Sequence, residues 1–435
     1  MFNNKVFTNA KWIIAGKIIQ SVIQLVVGML TARYLGPSNY GLINYAASIV
    51  AFFVPVMQLG LQSTLVQEYV DRPEAEEGKI VGTQLVMNMI AAIACMIGVT
   101  SFVAVANPGE TTTIVVCVLY SASMFCQSIE MLQYWFQARL KSKYSSLAML
   151  GAYVVVSAYK IYLLVYGKSV YWFAFSHAVE YGVTGLLLLW AYKKVGTQKI
   201  SFSWKILKEM FSKSRLYIVA TLMVVVYGRI GNVLLTQMFG EAENGFYATA
   251  MACVQLPGFV FLAIIDTARP VVLESRKESK EAFEKNISRV YALTTWLALA
   301  QSVAYTVLAK LLIQFLYGDE YLPAIPVMQI LVWSTAFSYM GYVRNIWILG
   351  EEKDNVLWII NLSGAVASVL INLLLISELG ACGAAIASVA TQIFTNVITG
   401  FILKPIRRNN QLLLKGMNPK LMIEMISMIL KNKKA

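Results

Sequence analysis

The sequence predicts an all-α polytopic membrane protein of about twelve transmembrane helices in two six-helix halves. Three observations predict it: apolar runs of 20 or more residues, a lopsided distribution of lysine and arginine among the loops, and a glycine-bearing segment that recurs about 200 residues later. Of 435 residues, 58% are hydrophobic and 14% charged, and the mean hydropathy is +0.63. A soluble domain carries ~25% charged residues, and ~20 apolar residues in a helix cross ~30 Å of hydrocarbon at 1.5 Å per residue. These numbers exclude a secreted domain, a disordered chain and an ordinary cytosolic enzyme.

The twelve spans are expected at 9–32, 42–67, 79–105, 111–137, 144–166, 170–192, 214–238, 245–268, 288–313, 323–349, 355–377 and 381–403. The breaks carry turn chemistry: Gly-Pro-Ser-Asn at 36–39, Asn-Pro-Gly at 107–109 and Tyr-Gly-Asp-Glu at 317–320. Pro55, Pro257 and Pro326 fall in or near the starts of spans, where neighbouring helices satisfy the backbone groups that proline frees. The N-terminus lacks a short apolar stretch followed by a small-residue cleavage site, so the first run is expected to remain as a span. Cys95, Cys117, Cys126, Cys253 and Cys382 are scattered through apolar runs without metal or redox spacing.

Orientation follows from the loops, because lysine and arginine are retained on the cytoplasmic side. With the N-terminus inside, 29 of the 36 basic residues fall on inside segments, and only Arg33, Lys168 and Lys310 lie outside. Both termini are therefore expected in the cytoplasm. The formal charge of +13 is mostly this orientation signal and calls for no nucleic-acid partner. Two inside segments read as basic amphipathic helices suited to anionic membrane lipids. In 201–215, Trp204, Leu207 and Phe211 recur at helical spacing with Lys205, Lys208 and Lys213 on the polar side. In 419–434, Leu421, Met425, Met428 and Ile429 precede Lys431, Lys433 and Lys434. The expected organisation is an N-terminal lobe at 1–192, a linker at 193–213, a second lobe at 214–403 and a tail at 404–435.

The halves are linked by a repeat. Aligning Gly36 with Gly240 also aligns Gly41 with Gly245, at an offset of 204, and Pro55 and Pro257 follow at an offset of 202. An echo appears at Leu379-Gly380-Ala381-Cys382-Gly383. Six spans per half give both halves the same orientation, a transporter plan in which the substrate path runs between parallel repeats.

The stretch Thr31-Ala32-Arg33-Tyr34-Leu35-Gly36-Pro37-Ser38-Asn39-Tyr40-Gly41, then Asn44-Tyr45-Ala46, resembles the opening of bacterial polysaccharide flippases of the O-antigen (Wzx-like) type. Leu59-Gly60-Leu61, the run Tyr321–Leu331 and the segment from Leu379-Gly380 to Ala384-Ala385-Ile386-Ala387 fit the same family. The resemblance implies a member of the multidrug/oligosaccharidyl-lipid/polysaccharide exporter superfamily, with two six-helix lobes around a central cavity. It further implies a bacterial inner-membrane flippase that moves undecaprenyl-pyrophosphate-linked oligosaccharide from the inner to the outer leaflet for surface-polysaccharide assembly.

Charged side chains within spans cost ~2.5–3.5 kcal/mol on insertion scales. Lys17, Lys160, Arg229 and Arg344 therefore require water, a counter-charge or an anionic ligand. Lys17 and Arg229 occupy corresponding first helices of the two halves and are the expected contacts to an anionic diphosphate. Arg344 is a third candidate for that role, weighed against snorkelling to the interface. His177 and Glu180 share one face of span six at i, i+3. With Glu130, Asp266 and Lys160 they form the candidate set for ion coupling or gating. The competing reading is structural: Lys160 on span five pairs with Glu180; Glu130 and Asp266 lie nearer inside ends, where they form gating pairs with Arg139 or Arg269 or are wet interface charges. No metal or cofactor is expected beyond coupling to a proton or sodium gradient, and the absence of a Walker A sequence and of a large outside loop argues against an enzyme. Expected partners are the lipid-linked oligosaccharide and polysaccharide polymerase or assembly proteins. A cation-coupled multidrug extruder of the same superfamily and a non-transporting assembly partner remain open alternatives.

Overall fold

The computed structural model describes residues 4–196 and 198–422, with the side chains of 4–19, 21 and 22 outside the description. The described residues form helices and turns, without a strand. In chain order the α-helices are α1 (Asn4–Met57), α2 (Leu65–Asp71), α3 (Glu77–Ala106), α4 (Thr111–Glu130), α5 (Gln133–Ala138), α6 (Ser142–Val165), α7 (Val170–Val195), α8 (Trp204–Phe239), α9 (Glu241–Gln255), α10 (Gly258–Glu278), α11 (Lys280–Tyr317), α12 (Ala324–Leu331), α13 (Trp333–Gly350), α14 (Leu357–Ile393), α15 (Thr399–Ile402) and α16 (Arg407–Gly416). A π-helical turn, Phe394–Ile398, joins α14 to α15.

By length and composition, eight described helices are apolar enough to cross a membrane, or nine if α9 and α10, bent by 42°, count as one. Twelve spans were expected, and the difference arises at the breaks. The expected break at 36–39 is present as a kink: two helices meet within α1 at Gly36, which leaves helical geometry at φ 70° and ψ 172°. Two helices meet in the same way at Gly380 within α14, at φ 53°, between the spans expected at 355–377 and 381–403. The stretch expected to span at 323–349 is carried by α12 and α13, of 8 and 18 residues.

The chain divides into two compact units, Met1–Val225 and Val226–Ala435, with the boundary inside α8. The segment expected as a linker belongs to the first unit. There, α1 packs on α4 and α6, while α7 packs on α4 and α6. Gly185 allows the approach of α7 to α4, since a Cβ there would stand 3.0 Å from the Ile129 Cβ. Membrane helices lacking a hydrophobic drive to associate use small residues in this way. One end of the unit buries Leu61, Tyr69, Trp135, Phe136, Tyr192 and Met210 together. In the second unit, α11 packs on α10, α13 and α16 around Phe283, Tyr291, Met340, Trp347 and Leu413. The beginning of the tail thus packs as α16, held by Arg408, which donates to both Glu284 oxygens at 2.8 and 2.5 Å. Of the stripe expected at 419–434, residues from 423 onward lie outside the described residues.

Candidate functional site

In the first unit, three packed helices bring most of the expected titratable set together. Glu130 ends α4, Lys160 lies on α6, and His177 and Glu180 lie on α7. His177 Nδ1 stands 3.9 Å from Glu180 Oε2, with the two side chains 26% and 18% exposed. Glu180 lies within electrostatic reach of both Glu130 and Lys160, and Lys160 within reach of His177. The expected Lys160–Glu180 contact is thus a charge interaction rather than one of the ion pairs within 4.0 Å among the described residues. Gln133 Nε2 donates to Glu130 Oε1 at 3.5 Å.

Aromatic hydroxyls complete this cluster, and residue-by-residue reading missed them. The Tyr120 ring lies 4.4 Å from that of His177, at 37°. Tyr153 interacts electrostatically with Glu180, and Tyr181 with both Glu130 and Glu180. The signal was present for Tyr181, which follows His177 by one helical turn. Two carboxylates, an ammonium, an imidazole and phenols in an apolar span make a site able to take up and release a proton or hold a small cation.

Asp266 is not part of the first unit. It belongs to the second, its side chain is 66% exposed, and it lies 3.7 Å from Arg269. Arg139 does not pair with Glu130 either; it engages Glu77, whose other oxygen accepts from Trp135 Nε1 at 2.7 Å.

The cations of the second unit occupy contrasting environments. Arg229 is exposed in the middle of α8's apolar stretch. Among the described residues no carboxylate pairs with it, and the Tyr247 hydroxyl lies within its electrostatic reach. A polar band accompanies it: Asn232 Nδ2 donates to Asn244 Oδ1 at 2.9 Å, and the Tyr247 and Ser388 hydroxyls share a hydrogen bond of 2.8 Å. Arg344, by contrast, is only 4% exposed. Its Nη1 donates to the Thr395 carbonyl at 2.8 Å within the π-helical turn, and its Nη2 reaches Asn345 Oδ1 at 3.4 Å. Its Nε has no partner among the described residues. Arg344 is therefore buried and does not snorkel. Tyr227 and Tyr291 lie within its electrostatic reach. The visible clue to this environment was the polar set Thr391, Gln392, Thr395 and Asn396 inside an otherwise apolar run. The Lys17 side chain lies outside the described residues.

An ionic network at one end of the first unit also escaped the sequence reading. Glu68, 3% exposed, accepts from Arg72 Nε at 2.7 Å and from Lys213 Nζ at 2.6 Å, and Arg72 Nη2 reaches Glu209 at 2.7 Å. Burial raises the Glu68 pKa, but the hydrogen bonds from Lys213 and Arg72 outweigh it and hold the carboxyl below its ordinary value. Glu68 and Arg72 are four residues apart, but Lys213 and Glu209, which complete the network, lie more than a hundred residues away and cannot be paired with them from spacing alone.

The comparisons with known proteins agree with this architecture. A family model described as "Polysaccharide biosynthesis protein" matches residues 30–326. The capsular polysaccharide biosynthesis protein CapF of Staphylococcus aureus is 21% identical over 397 residues, covering 88% of this chain and 96% of CapF. Among solved structures, an inward-facing multidrug resistance transporter of the MATE family, in the MOP superfamily, superposes with a TM-score of 0.70 at 15% identity, covering 90% of this chain and 94% of the transporter. The lipid II flippase MurJ in an inward closed conformation gives a TM-score of 0.69 at 14% identity, covering 95% and 92%. At these identities the superpositions establish the fold, while the family match spans well over half the chain. This multi-pass helical membrane protein belongs to the polysaccharide biosynthesis protein family and has the fold shared by MATE transporters and the MurJ flippase.

Proposed function

We propose that this protein is a flippase that carries an undecaprenyl-pyrophosphate-linked oligosaccharide from the inner to the outer leaflet of a bacterial plasma membrane, for surface-polysaccharide assembly. Family membership supplies the pathway class. The observation that carries the reading is Arg229, an exposed guanidinium in the middle of an apolar helix without a carboxylate partner among the described residues. Such a charge is expensive in hydrocarbon. A diphosphate matches it, because planar guanidinium donors bind phosphate oxygens in a bidentate fashion. Lys17, on the corresponding first helix and with its side chain outside the described residues, is the second candidate for a diphosphate contact. The substrate binds and is released from opposite sides of the membrane in turn, which requires a difference in affinity between the two states. The cluster of Glu130, Lys160, His177 and Glu180 provides that difference by exchanging a proton as the state changes.

A second reading, a cation-coupled multidrug extruder, draws support from the same carboxylates. Translocation of a fluorescent undecaprenyl-pyrophosphate oligosaccharide in proteoliposomes separates the two. Wild-type protein is expected to flip it, and Arg229→Ala and Lys17→Ala to lose flipping ~10-fold or more while remaining folded, the order expected for a charge-assisted contact. Flipping that survives both substitutions removes these residues from the site. No wild-type flipping, combined with extrusion of a lipophilic cation, replaces the flippase with the extruder.

A further inference from the structure

The sequence reading placed Trp204, Leu207 and Phe211 on the apolar, membrane-facing side of an amphipathic helix, and the structure buries a different set of residues against the protein. The residues buried at the start of α8 are Ile206, Met210 and Ser214, at 3%, 0% and 0% exposure, and they pack into the core of the first unit. Trp204 and Phe211 instead point outward, at 69% and 41%, on a surface shared with exposed Lys205 and Lys208. The preceding segment is pinned as well. Ser201 N donates to the Gly78 carbonyl at 3.0 Å, and Ser203 N to Thr83 Oγ1 at 3.0 Å. Phe202 is thereby left 39% exposed, its ring 5.1 Å from that of Trp204, beside exposed Lys199. Gly78 and Gly82 permit this docking, since a Cβ at either would come within 2.0 and 2.1 Å of the Lys199 and Ser201 carbonyl oxygens.

We infer that this aromatic ridge, Phe202, Trp204 and Phe211 framed by Lys199, Lys205 and Lys208, is a preformed binding surface for anionic lipid head groups of the inner leaflet. Three arguments converge on that partner. The ridge combines apolar rings with uncompensated positive charge, the pairing that favours the boundary of an anionic membrane over neutral lipid or water. Glu209, the acidic residue nearest in sequence, hydrogen-bonds Arg72 at 2.7 Å and also lies within electrostatic reach of Lys205, while no carboxylate among the described residues pairs with Lys199 or Lys208. The depth also fits: α8 continues into its apolar stretch, and Phe211 stands about 7.5 Å along the axis from Leu216 at 1.5 Å per residue. Because Ile206 and Met210 lock the helix to the unit, the surface is rigid before lipid arrives, and little ordering entropy opposes binding. This inference does not depend on the substrate proposed above.

The test uses the full chain in nanodiscs of phosphatidylcholine doped with brominated phosphatidylglycerol or brominated phosphatidylcholine at equal fractions. The Trp204 contribution to fluorescence quenching is isolated by subtracting the Trp204→Phe variant, which leaves the other tryptophans in place. Brominated phosphatidylglycerol is expected to quench Trp204 about fivefold more effectively than the neutral lipid. That preference is expected to collapse in Lys205→Gln/Lys208→Gln and in about 1 M salt, where screening is nearly complete. Equal quenching by the two lipids would reduce the ridge to an ordinary interfacial belt and overturn the proposal. So would quenching by aqueous iodide alone, or a preference unchanged in the double variant. Phosphatidylglycerol retained per protein after detergent exchange, counted by mass spectrometry, gives the same comparison without Trp204→Phe; retention equal in wild type and the lysine variant would also overturn it.

Discussion

Glu68 shows how strongly a single residue's behaviour depends on partners distant in sequence. Its carboxylate is buried yet accepts from both Arg72 and Lys213, and these hydrogen bonds hold its pKa below the ordinary value against the opposing effect of burial. A carboxyl whose folded pKa is lowered stabilises fully above the unfolded value of about 4.3, and loses that contribution as pH falls through the folded value. Glu68→Gln is therefore expected to lower stability by about 1–2 kcal/mol near neutrality, since both cationic partners are partly wet. The gap between wild type and variant should close below the ordinary carboxylate range. Thermal unfolding in detergent across pH 3–8 is the measurement; a gap that stays constant with pH would show that the charge contributes nothing.

The helices themselves follow from long apolar runs, and their ends and bends from a few glycines. The repeat aligned Gly36 with Gly240, and the two take nearly the same backbone conformation: φ 70°, ψ 172° and φ 88°, ψ 178°. This region is essentially restricted to glycine, because a Cβ clashes with the local backbone. At Gly240 the cost is isolated, since a Cβ there would meet nothing within 4 Å. Gly240→Ala is expected to destabilise by about 1–3 kcal/mol from backbone strain alone. Gly228→Ala, at a helical position with equally open space, should be neutral or slightly stabilising, because alanine is the better helix former. Equal unfolding midpoints for the two variants would refute the conformational reading of the repeat.

Considered as a whole, the protein combines a cationic feature in one unit with a titratable cluster in the other, Arg229 in the second and Glu130, Lys160, His177 and Glu180 in the first. If the cluster couples transport to protons, Glu180→Gln should abolish acceleration of flipping by an imposed proton gradient while leaving binding of the lipid-linked substrate intact. Loss of binding together with flipping would place Glu180 in the substrate site instead. Unchanged acceleration would remove it from coupling.

Hydropathy determined that the chain is an all-α membrane protein, because spanning hydrocarbon demands long apolar helices whose backbone groups pair internally. A local motif determined the family, and helical spacing placed His177 beside Glu180, since neighbours at i, i+3 are fixed by geometry within one helix. Tertiary structure decided what depends on contacts between helices. It brought Glu130 and Lys160 towards that pair and took Arg139 to Glu77. It also buried Arg344 against a π-helical turn and packed Ile206 and Met210 into the core of the first unit. Each of these outcomes rests on which face one helix presents to another, and a periodic pattern identifies an apolar face without saying which neighbour will cover it.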